Sequence, residues 1–283
     1  MRLAPLEESL DADLYGGKAA QLASAVGAGL PVPRGVALSV ELVGAIAAGS
    51  PAAIAGFERA WPLLQAPLAV RSSAVGEDSD EASFAGQHLT CLNLRSAMDG
   101  IDAVEAIWRS AHSDSALAYR RRLGLTGTPR MAVVLQELVD ADCAGVLFTR
   151  NPLDGADELV VEAAWGLGEA VVAGLVTPDR FRVARDGTVL ERAAGEKDLA
   201  VRLAPEGGTQ EVAISGERVR ALCLDDGRLA ALAHLAKRCG RVFSGARDLE
   251  WAFAGKTLHL LQCRRVTSAA SLRAGFKMSP GAS

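Results

Sequence analysis

Asp248-Leu-Glu-Trp-Ala-Phe253, then Ala254-Gly-Lys256, then Leu258-His-Leu-Leu-Gln-Cys-Arg264: two apolar-rich runs joined by a glycine turn read as a hairpin. Strand positions two apart share a face, so Asp248 lies with Glu250, and Gln262 with Arg264. A second hairpin is read at 181–183 and 188–191, around the turn Asp186-Gly187. Hairpins are antiparallel units. Interleaved with helical stretches, they point to an α+β fold rather than a doubly wound parallel sheet.

Working outward, the spacing of apolar residues predicts helices over 99–123, 169–174 and 225–242. A further helix opens at Gly16-Gly-Lys18 and closes at Gly27, and 40–65 reads as helix broken by Gly49-Ser-Pro51. Strands are expected at 36–38, 68–71, 131–139, 145–149 and 159–163. Arg120-Arg-Arg122 falls in a last helical turn, where cations offset the helix dipole, so it reads as a helix end. The expected organisation is a first lobe over 1–130, a second over 131–267 and a flexible tail over 268–283.

Bulk properties restrict the function. The 283 residues carry 34 acidic and 30 basic side chains, net −4, which gives no support to nucleic acid or an anionic membrane as partner. Five scattered cysteines without CxxC spacing suggest packed, reduced thiols rather than a zinc site, and a cytoplasmic protein. The most apolar segment, 35–49, is too short to span a bilayer.

Ala69-Val-Arg-Ser-Ser-Ala-Val-Gly76 places Arg71 at the end of an apolar run, before a loop of small residues and a second turn at 82–90. Small residues let backbone N–H groups approach a polyphosphate, and a guanidinium adds a fixed positive fork. Phosphoryl chemistry needs cations on the phosphates, and oxygen ligands for magnesium. Lys18 and Arg71 are candidates for the first, Glu250 and Gln262 for the second, with Arg264 beside them. Each also has an ordinary reading. Lys18 suits an exposed helix start, Arg71 a pair with Glu77 or Asp78, and Glu250 with Arg264 a cross-strand salt bridge.

Several stretches resemble, in order, the N-terminal nucleotide-binding domain of phosphoenolpyruvate synthase, shared with pyruvate phosphate dikinase and rifampin phosphotransferase. They are Gly16-Gly-Lys-Ala-Ala-Gln-Leu22, Leu30-Pro-Val-Pro33, Val70-Arg-Ser-Ser-Ala74 and Ala82-Ser-Phe-Ala-Gly-Gln87. Gly145-Val-Leu-Phe-Thr-Arg-Asn-Pro152, Trp165-Gly-Leu-Gly-Glu169, Thr177-Pro-Asp179 and Asp248-Leu-Glu-Trp-Ala252 continue the series. The resemblance covers 14 to about 267. It implies an ATP-grasp-type fold, with ATP in the cleft of two lobes, and an ATP-dependent phosphotransferase. Lys18 and Arg71 would hold phosphates under a lid running from Gly86 to Thr90. Gln136, with the backbone of Glu137 to Val139, would meet the adenine. Glu250 and Gln262 would bind Mg2+, and Arg264 would contact the transferring phosphates. The Trp165–Glu169 loop would shape its lobe rather than cradle a phosphate.

Two departures stand out. The stretch 35–71 is shorter than in the family, and Cys263-Arg264-Arg265 stands where a small residue and Arg-Pro are expected. The family's phosphorylatable histidine lies in a Gly-rich Thr-Ser/Cys-His setting, and none of His88, His112, His234 and His259 has it. The expectation is a histidine on a separate partner chain, relaying the group to pyruvate or another small acceptor. The alternatives are a self-sufficient kinase or ligase, with His88 near its substrate, and a nucleotide-binding regulatory subunit.

Overall fold

The structure, a computed structural model, describes residues 2–76, 89–122, 124 and 127–266. It divides into two compact units, Met1–Leu138 with Leu203–Thr209, and Val139–Arg202 with Gln210–Ser283. The α+β class read from the sequence is found.

The first unit runs β1 (Leu3–Pro5), α1 (Ala12–Gly27), β2 (Gly35–Leu38), α2 (Val40–Ala47), α3 (Pro51–Ala60), β3 (Leu68–Ala74), β4 (Thr90–Leu94), α4 (Ala97–Ala111), α5 (Asp114–Arg122) and β5 (Met131–Glu137). Its helices begin where side chains can satisfy the first free N–H groups. Ser39 caps α2 through Leu42 N–H, α3 starts on Pro51, and Ser96 with Asp99 closes a capping box on α4. One continuous helix over 99–123 was expected, yet the chain breaks between α4 and α5. Ser113 Oγ accepts Ala116 N–H at 3.3 Å, so a serine in mid-run starts a new helix instead of extending the old one.

The sheet of this unit is antiparallel throughout, in the order β1-β2-β5-β3-β4. Val36, Leu38, Leu68, Val70, Val133 and Leu135 face the main core with residues of α2, α3 and α4, among them Ile46, Phe57 and Ile107. The opposite face carries Ala37 and Val134, packed against Tyr15, Ala19 and Leu22 of α1. A side chain such as Phe57 or Ile107, fully buried, contributes about 1.5–3 kcal/mol. The lobe boundary expected at 130/131 falls instead after Leu138, because β5 is the central strand of this sheet, bonded to β2 and β3. Leu203–Thr209 also joins this unit, where Asn93 Nδ2 donates to the carbonyls of Ala204 and Gly208, both at 2.7 Å.

The second unit contains β6 (Cys143–Phe148), β7 (Leu159–Trp165), α6 (Glu169–Val172), β8 (Asp179–Val183), β9 (Val189–Ala193), β10 (Leu199–Leu203), β11 (Thr209–Ala213), α7 (Asp226–Val242), β12 (Arg247–Ala254) and β13 (Thr257–Arg265). The strand order is β13-β12-β6-β7-β8-β9, with β10 and β11 as a separate pair, and both expected hairpins form. One face of the large sheet is core: Leu147, Val161, Phe181, Leu249 and Trp251 are buried. So is Lys197, whose ammonium pairs at 2.5 Å with the equally buried Asp179. Asp179 also accepts the N–H groups of Gly195 and Cys223, so the buried charge is fully bonded. Among the described residues no single helix is long and apolar enough to cross a membrane.

Candidate functional site

In the first unit the Gly-Gly-Lys turn is fastened to β3. Gly16 has φ +79°, and a Cβ there would lie 2.1 Å from the Ser73 carbonyl oxygen, so only glycine fits. Ser73 Oγ donates to the Tyr15 carbonyl at 2.7 Å and accepts Ala19 N–H at 3.1 Å. Lys18, inside this turn, is 5% exposed, and Arg71, two residues before Ser73, is 8% exposed. Arg71 lies opposite Val134 on β5, and Gln136 opposite Ala69 on β3. Cross-strand partners share a face, so Arg71, Ser73 and Gln136 stand on the face that α1 covers. The structure therefore brings Lys18, Arg71 and Gln136 to one side of one sheet.

Thr90 is the register partner of Arg71 on β4. Of the expected lid, Gly86, Gln87 and His88 lie outside the described residues, as do the candidate partners Glu77 and Asp78. Gln136 is buried, and its Nε2 donates to the Pro33 carbonyl at 3.1 Å. The N–H groups of Glu137 and Leu138 are also engaged, by Arg34 and Pro67 carbonyls at 2.9 and 3.0 Å. Those bonds narrow any adenine contact by this stretch to the Val139 N–H and the carbonyls.

In the second unit Glu250 and Gln262 are direct cross-strand partners on β12 and β13. Glu250 is opposite Val146 of β6, Val146 opposite Glu162 of β7, and Glu162 opposite Arg180 of β8. Gln262, Glu250, Val146, Glu162 and Arg180 thus form one row across five strands, on the face away from Trp251 and Leu249. Asp248 and Arg264 are partners in the next row. The Arg264 guanidinium is 2.7 Å from Asp248 Oδ2, while Asp248 Oδ1 is buried with no hydrogen-bond partner among the described residues. Arg264 thus makes a cross-strand ion pair with Asp248, its register partner.

Burial pushes the Asp248 carboxyl above the usual carboxylate range, against the pull of Arg264. Glu162 is also pushed up by burial, opposed by Arg180 and reinforced by the charge of Asp248. Glu162 and Arg180 were not singled out from the sequence. The available signal was a lone carboxylate inside the apolar run Leu159-Val-Val-Glu-Ala-Ala164.

A carboxylate and an amide oxygen side by side form a hard-oxygen set suited to Mg2+, and the orphaned Asp248 Oδ1 adjoins it. Among the described residues no group of three or more His, Cys, Asp or Glu side chains gathers as a metal cluster. An ion held here would take its other ligands from water or phosphate, the way Mg2+ is ordinarily bound.

The remaining candidates resolve as structure. In the Trp165 loop, Gly166 N–H bonds the Asp142 carbonyl at 2.8 Å and Leu167 N–H bonds Val201 at 2.9 Å. Those donors are spent on the fold, as in a shaping turn. His112 stacks on Trp108 with ring centroids 4.0 Å apart, and its Nδ1 lies 2.8 Å from the Trp108 carbonyl. Burial lowers the His259 pKa from its ordinary value. All five cysteines are free, and four are buried.

Residues 38–278 match the family model described as pyruvate phosphate dikinase, AMP/ATP-binding domain. A probable phosphoenolpyruvate synthase of Methanothermobacter thermautotrophicus is 41% identical over 203 residues, 71% of this chain and 30% of that protein. Rifampicin phosphotransferase of Streptomyces sviceus is 40% identical over 202 residues, 71% of this chain and 23% of that one. A second rifampicin phosphotransferase, from Streptomyces sp, is 36% identical over 269 residues, 94% of this chain and 29% of that one. The chain thus spans less than a third of the length of each of these relatives. By the extent of the family match, this chain belongs to the pyruvate phosphate dikinase AMP/ATP-binding domain family.

Proposed function

We propose that this ATP-grasp-type domain binds Mg-ATP and transfers a phosphoryl group to a histidine lying outside the 283 residues. The observation that carries this reading is the register pairing of Glu250 with Gln262, beside the Asp248–Arg264 ion pair, on the polar face of the second sheet. Glu250 and Gln262 would hold Mg2+, which neutralises phosphate charge as it shifts toward the leaving oxygen. Lys18 and Arg71 would hold phosphate oxygens; their burial raises the strength of each charge–charge contact above its value in water. Arg264, oriented by Asp248, would contact the transferring phosphate. The acceptor imidazole nitrogen forms a bond to phosphorus as the phosphorus–oxygen bond to the nucleotide breaks. From the phosphohistidine the group would pass to pyruvate or another small acceptor, as the names of the relatives suggest by analogy.

The test uses ATP labelled in its β or γ phosphate, Mg2+, and a histidine domain from this family added in trans. Acid-labile label on that domain, absent with Glu250→Ala, is expected. Steady ATP consumption with a small acceptor and no histidine domain would replace this reading with direct transfer. ATP binding with no transfer under either condition would leave a regulatory domain.

A further inference from the structure

The second unit contains a cavity of about 290 Å³ on the side of α7, lined by Arg150, Arg185, Arg247, Phe243 and the small residues Ala236 and Gly240. Its lining is made entirely of second-unit residues, none of which is used in the proposed chemistry. Each guanidinium is fixed, and mostly by neutral acceptors. Arg150 Nη1 donates to the Gly155 carbonyl at 2.9 Å. Arg185 donates to the Thr149 carbonyl and to Asp157 Oδ1. Arg247 donates from Nε and Nη2 to the Ser244 carbonyl at 3.1 and 2.7 Å, with its guanidinium over the Phe243 ring at 5.0 Å.

A carbonyl orients a guanidinium without cancelling its charge. Asp157 is the carboxylate that offsets the group, 2.8 Å from Arg185 and 3.9 Å from Arg150, and its side chain is 65% exposed. Three fixed positive charges against one solvated negative leave the cavity strongly cationic. The C-terminal end of α7 would by itself repel an anion, but Arg247, bonded to Ser244 just past that end, covers it. Gly240, an exposed residue of the lining, has open space beside it: a Cβ built there meets nothing within 4 Å.

We propose that this cavity is a second anion site, for a small phosphate-bearing ligand such as pyrophosphate or a phosphate monoester. Guanidiniums match phosphate oxygens with paired N–H groups. The volume sits at the lower edge of the range for ligand pockets, which suits a small anion rather than a whole nucleotide. Phenylalanine and alanine on one wall accommodate a short carbon stem.

The experiment is a titration of the full chain with inorganic pyrophosphate, and separately with inorganic phosphate, followed by amide NMR at Gly240 and Gly245. Reading these two amides separates the cavity from any phosphate bound at Lys18 and Arg71. Saturable shifts are expected, with affinity about tenfold or more weaker in Arg150→Gln/Arg185→Gln. Gly240→Leu, which adds bulk at the lining and keeps every charge, is expected to abolish the shift at Gly245 while the protein stays folded. Shifts that fail to saturate, that chloride reproduces at equal ionic strength, or that survive Gly240→Leu would overturn the proposal.

Discussion

The two units solve opposite electrostatic problems. The first buries its cations where α1 meets the sheet: Lys18, on α1, is 5% exposed, and Arg71, on the face that α1 covers, is 8% exposed. The second keeps oxygen ligands, Glu250 and Gln262, in a polar row whose members Val146, Glu162, Arg180 and Glu250 remain half-buried. Cations have long stems that can be packed while the charged end reaches a ligand. Carboxylates have no such stem, and their ion needs room for water or phosphate, so they sit on a face left open. The same antiparallel architecture thus buries the candidate phosphate cations in one unit and leaves the candidate metal ligand Glu250 half-buried in the other.

Breaking the open face should have the largest effect. Glu250→Ala is expected to reduce Mg2+-dependent phosphoryl transfer by about 10³-fold or more, with the melting temperature nearly unchanged. The check is labelled-ATP transfer beside a thermal melt. An unaltered transfer rate would remove Glu250 from the site.

Breaking the covered face acts first through the fold. Gly16→Ala sets a Cβ against the Ser73 carbonyl and forces φ +79° on a residue that resists it. A loss of about 3 kcal/mol is expected in urea unfolding, larger than for Gly49→Ala, where nothing lies near the added methyl group. Arg71→Ala is expected to weaken ATP binding by about 2–3 kcal/mol in calorimetry, leaving Mg2+ dependence in place.

The smallest effect sharpens the comparison through pH. Burial raises the Glu162 carboxyl from its ordinary value of 4.5, so the folded state holds that proton more tightly than the unfolded chain. The stability this contributes is full below 4.5 and is lost as pH rises through the raised value. Glu162→Gln should therefore be more stable than the native protein at pH 7, with the gap closing as pH falls toward 4.5. Paired melts across that range check it. A gap that widens toward acid would reverse the assigned cause.

Much of this was legible in the chain. The hairpin Asp248–Arg264 was legible from its glycine turn and period-two alternation, but the pairing of Glu250 with Gln262 depends on a register shift between Glu250 and Trp251 that alternation alone does not show. Lys18 and Arg71 were singled out by residue type and loop composition, and both prove buried in the first unit. What sequence could not supply is long-range pairing. Nothing local says that β5 joins β2 and β3, so Gln136 was placed in the wrong unit. Glu162 went unnoticed because its run reads as a buried strand, and only register across β12, β6 and β7 puts it in line with Glu250. The break at Ser113 was missed for the converse reason: apolar periodicity continued through it, while a single hydroxyl redirected the backbone.

The bond pair made by Ser73 to Tyr15 and Ala19 has a mechanical meaning. It ties the turn bearing Lys18 to the strand bearing Arg71, so the distance separating the two ammonium and guanidinium stems is set by backbone register and not by side-chain choice. β3 acts as a ruler. Were Lys18 and Arg71 to hold one phosphate chain, its span would be set by these two backbone ties between α1 and β3.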